Sequence, residues 1–225
     1  MNITVFGASG AVGKHFIGLA SKRGHIIRAV YRSRPPAAPN GQVEILVNPD
    51  LFNPGFVTQA IHRADVVITT LGPNFVKHHN ALSTMISPLD LHQRLARTLV
   101  RAIKDSGTFP RVISVSTGSM GPADAIMGPG PRLLLGFFRT FVARNLRLVG
   151  KDLAMMEKNL AESGLDWYAV RPVKLTDGPL TGRVQASDRF TLKGISRADV
   201  AWYLLTLAED PRPGILRTPI LVSAQ

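Results

Sequence analysis

Ile3-Thr4-Val5-Phe6-Gly7-Ala8-Ser9-Gly10-Ala11-Val12-Gly13-Lys14 is where the fold is decided. The residues from Ile3 to Phe6 are β-branched or aromatic, the composition of a short strand. Glycines follow in a Gly7-x-x-Gly10-x-x-Gly13 spacing. A helical pattern runs from about Ala11 to Arg23 and ends at Gly24, a suitable residue just past a helix. A second apolar strand, His25–Tyr31, comes next. Strand, glycine turn, helix and strand make up the setting that a dinucleotide fingerprint needs. Gly7 turns the chain off the strand, Gly10 admits a pyrophosphate to the backbone, and Gly13 lets the helix pack close to the sheet. Ala8, Ser9, Ala11 and Val12 complete this cradle, where free N–H groups and the positive end of the helix dipole meet phosphates. A Walker phosphate loop does not fit. Position 8 is Ala where that motif needs Gly, and His15 stands where Ser or Thr would hold magnesium.

The chain has 225 residues, 45% of them hydrophobic, enough for one large α/β domain with a sizeable core. It has no cysteine, which removes disulfides, thiolate metal sites and a cysteine nucleophile and fits a reducing cytoplasm. No signal-peptide pattern precedes the first strand, and no apolar run reaches the roughly 18 residues of a transmembrane helix. The formal charge is +12, from 27 Lys and Arg against 15 Asp and Glu, which favours anionic partners. The basic residues are spread along the chain, and no nucleic-acid reader motif accompanies them, so no specific nucleic-acid partner is expected.

Strand and helix alternate throughout. The first strand is Asn2–Phe6, and residues 33–41 are a loop by composition. A third strand is Val43–Val47, and Asn53-Pro54 opens a helix with Asn as N-cap and Pro at N1. Ala64–Leu71 reads as a buried strand, 74–87 as polar and irregular, and Pro88–Ser106 as a helix striped by Leu91, Leu95, Leu99 and Ile103. Arg111–Ser116 is a further strand. The glycines and prolines of 117–131 exclude regular structure, and Arg132–Gly150 is apolar and basic. Lys151–Ser163 is a helix and Leu165–Arg171 a strand. Ser196–Ala208 is a helix with Ser196 as N-cap and Asp199 at N3, and Ile220–Val222 closes the chain as a strand. The fold class is α/β, a doubly wound and mainly parallel sheet in a single domain spanning 1–225, with a substrate-side insert at about 117–147.

Ligands of such sheets sit at the carboxyl ends of the strands. After the second strand no carboxylate is near, while Arg32 and Arg34 are, which suits a 2′-phosphate and selects NADP over NAD. After the third, Asp50 is either an acceptor for the adenine amine or a turn cap, with Leu51 packing on the ring. After the fourth, Leu71-Gly72-Pro73 is either a close approach to the pyrophosphate or a plain turn. After the fifth, Ser116 and Thr117 lead Ser114 and Ser119 as hydroxyls that would face the nicotinamide and orient or protonate an acceptor; local turn bonding is the alternative. After the sixth, Pro172 and Val173 either present backbone groups to the carboxamide or only stop the strand. His78-His79 makes a poor metal site, and no metal is expected. The apolar stretch Leu133–Val142, flanked by Arg132, Arg139 and Arg144, reads as a lid or core helix before a dimer or membrane surface; monomer and homodimer both stay open.

Taken together, Phe6–Gly13, Arg32, Leu71-Gly72, Val112–Thr117, Glu162–Pro172 and Ile195–Ala201 resemble the atypical short-chain dehydrogenase/reductases. Within them the chain is most similar to the flavin reductase/biliverdin-IXβ reductase-like and NmrA-like NAD(P)H-binding proteins. The likeness spans nearly the whole chain and implies a Rossmann domain, NADP(H) as cofactor and a substrate crevice above the nicotinamide. It departs from the standard members in lacking Tyr-x-x-x-Lys: Tyr31, Tyr168 and Tyr203 are followed four residues on by Pro35, Pro172 and Leu207. The flavin-reductase-like relatives lack it too, and by that resemblance the acceptor is a small, electron-poor flavin-, quinone- or tetrapyrrole-like ring. The alternative is an NmrA-like NADP(H) sensor without chemistry.

Overall fold

β1 (Asn2–Phe6) is an interior strand of a mainly parallel sheet, hydrogen-bonded to β2 (Ile26–Tyr31) on one side and β4 (Val66–Thr69) on the other. The computed structural model describes residues 1–35, 42–73, 75–77, 83–85, 87–117, 144–187, 193–212 and 219–224. Beyond β2 lies β3 (Val43–Val47). Beyond β4 come β7 (Arg111–Val115), β8 (Trp167–Pro172), β12 (Pro219–Ala224) and β10 (Val184–Ser187), giving the order β3-β2-β1-β4-β7-β8-β12-β10 with only β10 antiparallel. The chain winds outward from β1 to β3, then crosses back to β4. The gap between the carboxyl ends of β1 and β4 is therefore the topological switch point, where such sheets bind ligands.

Helices cover both faces. α1 (Ala11–Lys22) and α5 (Arg197–Glu209) pack together on one face, over a core containing Ile3, Val5, Phe16, Ile17, Leu204 and Leu205. α2 (Pro54–Ile61), α3 (Leu91–Ser106) and α4 (Arg144–Ala161) cover the other face, with Phe6, Leu95, Leu99, Ile103, Leu160 and Trp167 beneath them. Thr4, buried in the central strand, satisfies its hydroxyl by donating to the Ala60 carbonyl at 2.7 Å. The expected α3 stripe is buried at Leu91, Leu95, Leu99 and Ile103. The expected caps form as well: Asn53 Oδ1 accepts from Phe56 N–H at 3.0 Å, and Ser196 Oγ from Asp199 N–H at 2.9 Å.

The structure corrects several expectations. Residues 74–87 are not wholly irregular: β5 (Phe75–Lys77) and β6 (Ser83–Met85) form an antiparallel ladder, three residues a side and too short to show a hydrophobic period. α3 starts at Leu91 rather than Pro88, and α4 starts at Arg144 rather than Lys151. β9 (Leu175–Thr176) and β11 (Ile195–Ser196) form a two-residue parallel ladder that carries no sequence signature. Pro172 ends β8 from inside it, opposite Val222. His78-His79, residues 36–41 of the loop and 118–143 of the proposed insert lie outside the described residues. No helix among the described residues is long and apolar enough to cross a membrane.

Candidate functional site

The turn after β1 is held at close quarters. Gly7 has φ +92°, which L side chains rarely adopt, and a Cβ there would stand 2.7 Å from the Thr70 carbonyl carbon. Gly10 N–H donates to Gly7 O at 3.0 Å. A Cβ on Gly13 would meet Gly7 O at 2.3 Å, so the first turn of α1 rests directly on the turn backbone. Thr70, directly after β4, clamps the turn from the other side, donating its N–H to Phe6 O at 2.8 Å and its Oγ1 hydroxyl to Gly7 O at 3.2 Å. Gly10 caps α1 without a side-chain hydrogen bond, and the first turn holds no acidic residue. The helix thus presents its N-terminal amides and positive dipole end with nothing anionic of its own to occupy them.

A cleft of about 340 Å³ opens above this turn. Ten of the expected residues line it: Gly7, Ser9, Gly10, Ala11, Val12, Arg32, Leu51, Leu71, Gly72 and Pro73. The rest of the expected set lies off the lining. Ala8 is fully buried, and Arg34 is exposed. Asp50 is in an Asx-type turn, its Oδ1 accepting from Phe52 N–H at 2.9 Å. Ser116 is buried with its N–H on Val170 O at 2.8 Å; Thr117, Pro172 and Val173 also lie outside the lining. Val30, Thr70, Ser87, Leu91, Val115, Leu175 and Arg197 line the cleft without having been named as site residues from the sequence. Val115 takes the place expected for Ser116, a matter of strand parity at the end of β7. Arg197 had one available signal, a cation in the first turn of a helix, where the dipole disfavours it. Arg32 and Arg197 are the charged members of the lining, which includes no carboxylate among the described residues.

A buried polar layer supports the cleft. Asp152 of α4 reaches α3, its Oδ2 accepting from His92 N–H at 2.8 Å and lying 2.7 Å from His92 Nδ1. Its Oδ1 accepts from Gln93 N–H at 2.9 Å. His92 Nε2 donates to the carbonyl of Leu71, a cleft residue, at 3.2 Å. At the strand ends, Thr69 Oγ1 donates to Ser114 Oγ at 2.8 Å. The buried Arg171–Glu157 pair ties β8 to α4, with Nε on Oε1 at 2.9 Å. Near the base of α5, burial would raise the Asp199 carboxyl. The amides of Thr181 and Gly182 and the hydroxyls of Ser196 and Thr181 outweigh that and hold it below the usual range. The phenols of Tyr31, Tyr168 and Tyr203 are all pushed up by burial, the opposite of an activated proton donor.

Residues 7–211 match the NAD(P)H-binding family. The isoflavone reductase homolog IRL of Zea mays is 25% identical over 240 aligned positions, covering 93% of this chain. The chain spans 65% of the length of that relative. Among solved structures, ChuY, an anaerobilin reductase from Escherichia coli, superposes with TM-score 0.72 at 21% identity, covering 100% of this chain and 97% of its own. SP1627 of Streptococcus pneumoniae, named as a candidate NADH-flavin reductase, gives 0.74 at 23% identity with both chains fully covered. The oxidoreductase ylbE of Lactococcus lactis gives 0.75 at 20% identity, covering 100% of this chain and 91% of its own. At these identities the structural likenesses establish the fold.

Proposed function

The chain belongs to the NAD(P)H-binding family, and from that premise we propose that it is an NADPH-dependent oxidoreductase acting on a flavin-, quinone- or tetrapyrrole-like acceptor. The observation that carries this reading is the cleft at the switch point, with an uncapped helix N-terminus at its centre and Arg32, without a competing carboxylate, at one end. A Cβ on Gly13 would collide with the Gly7 carbonyl, so the first turn of α1 packs directly on the glycine turn and the residues present fit a dinucleotide. The names of the relatives, isoflavone reductase homolog and anaerobilin reductase, point the same way.

In this reading the first-turn amides of α1 hold the pyrophosphate, and the Arg32 guanidinium holds the 2′-phosphate. Leu51 packs beside the adenine, while Leu71, Gly72 and Pro73 wall the crevice opposite the turn. Bound NADPH supplies a hydride. Ser116 and Thr117, the sequence candidates for the acceptor side, follow Val115 at the end of β7 but lie off the cleft lining. An electron-poor ring that takes hydride directly can draw its proton from solvent, which removes the need for a Tyr-x-x-x-Lys donor. None of the three tyrosines lines the cleft and none opens a Tyr-x-x-x-Lys motif, which favours a second reading too, an NADP(H) sensor without turnover.

Titration with NADPH and NADH, followed by a panel of acceptors monitored through nicotinamide absorbance, tests both. Tight NADPH binding with turnover supports the reductase. Tight binding that discriminates oxidised from reduced cofactor, without turnover on any acceptor, supports the sensor. Absence of binding to either cofactor defeats both.

A further inference from the structure

We infer that Arg197 is the anchor for an anionic group, a phosphate or carboxylate, on the acceptor itself. This rests on the reading of the cleft as a cofactor and acceptor site. The argument is one of charge and position. Arg32 directly follows β2. Arg197 directly follows β11, which pairs with β9 just past the end of β8. β2 and β8 are separated in the sheet by β1, β4 and β7, so their ends lie roughly 19 Å apart at the usual strand spacing. The anions of NADP are its 2′-phosphate, placed at Arg32, and its pyrophosphate, placed on α1 between β1 and β4. The nicotinamide end, toward β7 and β8, carries no anionic group. A cation lining the cleft there serves the second ligand.

The structure also leaves Arg197 available. Its guanidinium meets Asp177 Oδ1 at 2.5 Å, but Asp177 is 87% exposed while Arg197 is 29% exposed. A pair with a solvated carboxylate is weak and exchangeable. An oxyacid group entering the cleft can replace Asp177 as partner. Leu175 and Val115 line the cleft toward the same strand ends and offer apolar surface to a planar ring. The class that fits is a planar ring bearing a phosphate or carboxylate.

Matched acceptors that differ only in charge provide the test. FMN and riboflavin share a ring and differ by a phosphate; a linear tetrapyrrole dicarboxylate and its dimethyl ester differ by the carboxylates. In Arg197→Gln the KM for the anionic member of the preferred pair should rise about tenfold or more, with kcat and NADPH affinity nearly unchanged. The KM of its neutral counterpart should stay put. Arg197→Lys should recover part of the loss, and Asp177→Asn should tighten the anionic acceptor. Equal effects on the charged and neutral members, or a weakening confined to NADPH, would overturn the assignment. If the wild-type protein turns over no acceptor, the reductase reading fails. Fluorescence titration of the NADP⁺-loaded protein with FMN and riboflavin, and with the tetrapyrrole pair, still decides the anchor. An anionic preference lost in Arg197→Gln upholds it; no preference in either pair removes it.

Discussion

Asp152 and His92 lie 60 residues apart in sequence, yet the Asp152 carboxylate closes the first turn of α3 through both the backbone amide and Nδ1 of His92. The same ring donates from Nε2 to the Leu71 carbonyl, at the edge of the cleft. Because a carbonyl only accepts, Nε2 carries a proton. One buried pair therefore caps a helix, docks α4 on α3 and holds the backbone of a cleft residue. Both residues are nearly inaccessible, His92 at 6% and Asp152 at 4%. Asp152→Ala leaves two helix amides and the imidazole without an acceptor, and the expected loss of stability is about 3–5 kcal/mol. Urea unfolding measures it. At temperatures where the variant stays folded, NADPH affinity should fall as well, because Leu71 loses a fixed neighbour.

Two glycines of α1 make opposite predictions. At Gly13 a Cβ would press on Gly7 O at 2.3 Å; at Gly18 it would meet nothing within 4 Å. Gly13→Ala should displace the turn, weaken NADPH binding by about tenfold or more and cost roughly 1–3 kcal/mol of stability. Gly18→Ala should leave cofactor binding alone and stabilise the helix by about 0.5–1 kcal/mol. Thermal unfolding and cofactor titration on the two variants separate a crowded glycine from a merely tolerated one.

Acid should loosen the start of α5. The Asp199 carboxyl titrates below its ordinary value in the folded protein because turn amides and hydroxyls favour its charged form over the cost of burial. A depressed folded pKa contributes stability that is present above the unfolded value, near pH 4, and is lost as pH falls through the folded value. The urea midpoint should therefore drop on acidification below about pH 4, and Asp199→Asn should flatten part of that drop. At neutral pH the Asn variant should be less stable by about 1–3 kcal/mol, since Thr181 and Gly182 lose a charged acceptor. Asp210 is lowered to about 2, first by Arg212, whose side chain is 75% exposed; so solvated a pair contributes little, and Asp210→Asn should change the profile much less.

What could be read from the chain was local. Gly7, Gly10 and Gly13 state their geometry in their spacing, and the α3 stripe states its buried face in its period. Asn53 and Ser196 announce their helices because a cap acts within a few residues. What escaped was made by contacts distant in sequence. The Asp152 cap on α3 comes from another helix, and Arg197 reaches the cleft because β11 pairs with β9, a ladder too short to show a period. Strand ends were located to within two residues, as with Leu71 expected and Thr69 found for β4, but parity then decided which side chain faces the cleft; hence Val115 lines it and Ser116 does not. At Asp50 both sequence alternatives used the same carboxylate, and the structure seats that carboxylate on Phe52 N–H.

Arg32 and Arg34 can now be separated. From the sequence both stood at the end of β2 as partners for a 2′-phosphate. Both are exposed, but Arg32 lines the cleft, whereas Arg34, two residues further along, lies off the lining. A charge-assisted bond to a phosphate depends on contact geometry, while an exposed cation at longer range is screened by salt. Arg32→Glu should therefore weaken NADPH by roughly a hundredfold and leave NADH nearly unchanged or improved, because the carboxylate repels a 2′-phosphate but can accept from a ribose 2′-hydroxyl. Arg34→Glu should shift NADPH affinity by no more than about threefold, and that shift should vanish at high salt. Cofactor titrations at low and high ionic strength on both variants decide the matter. Equal losses in the two variants would assign the 2′-phosphate to the pair, and an unchanged NADPH preference in Arg32→Glu would remove Arg32 from the site.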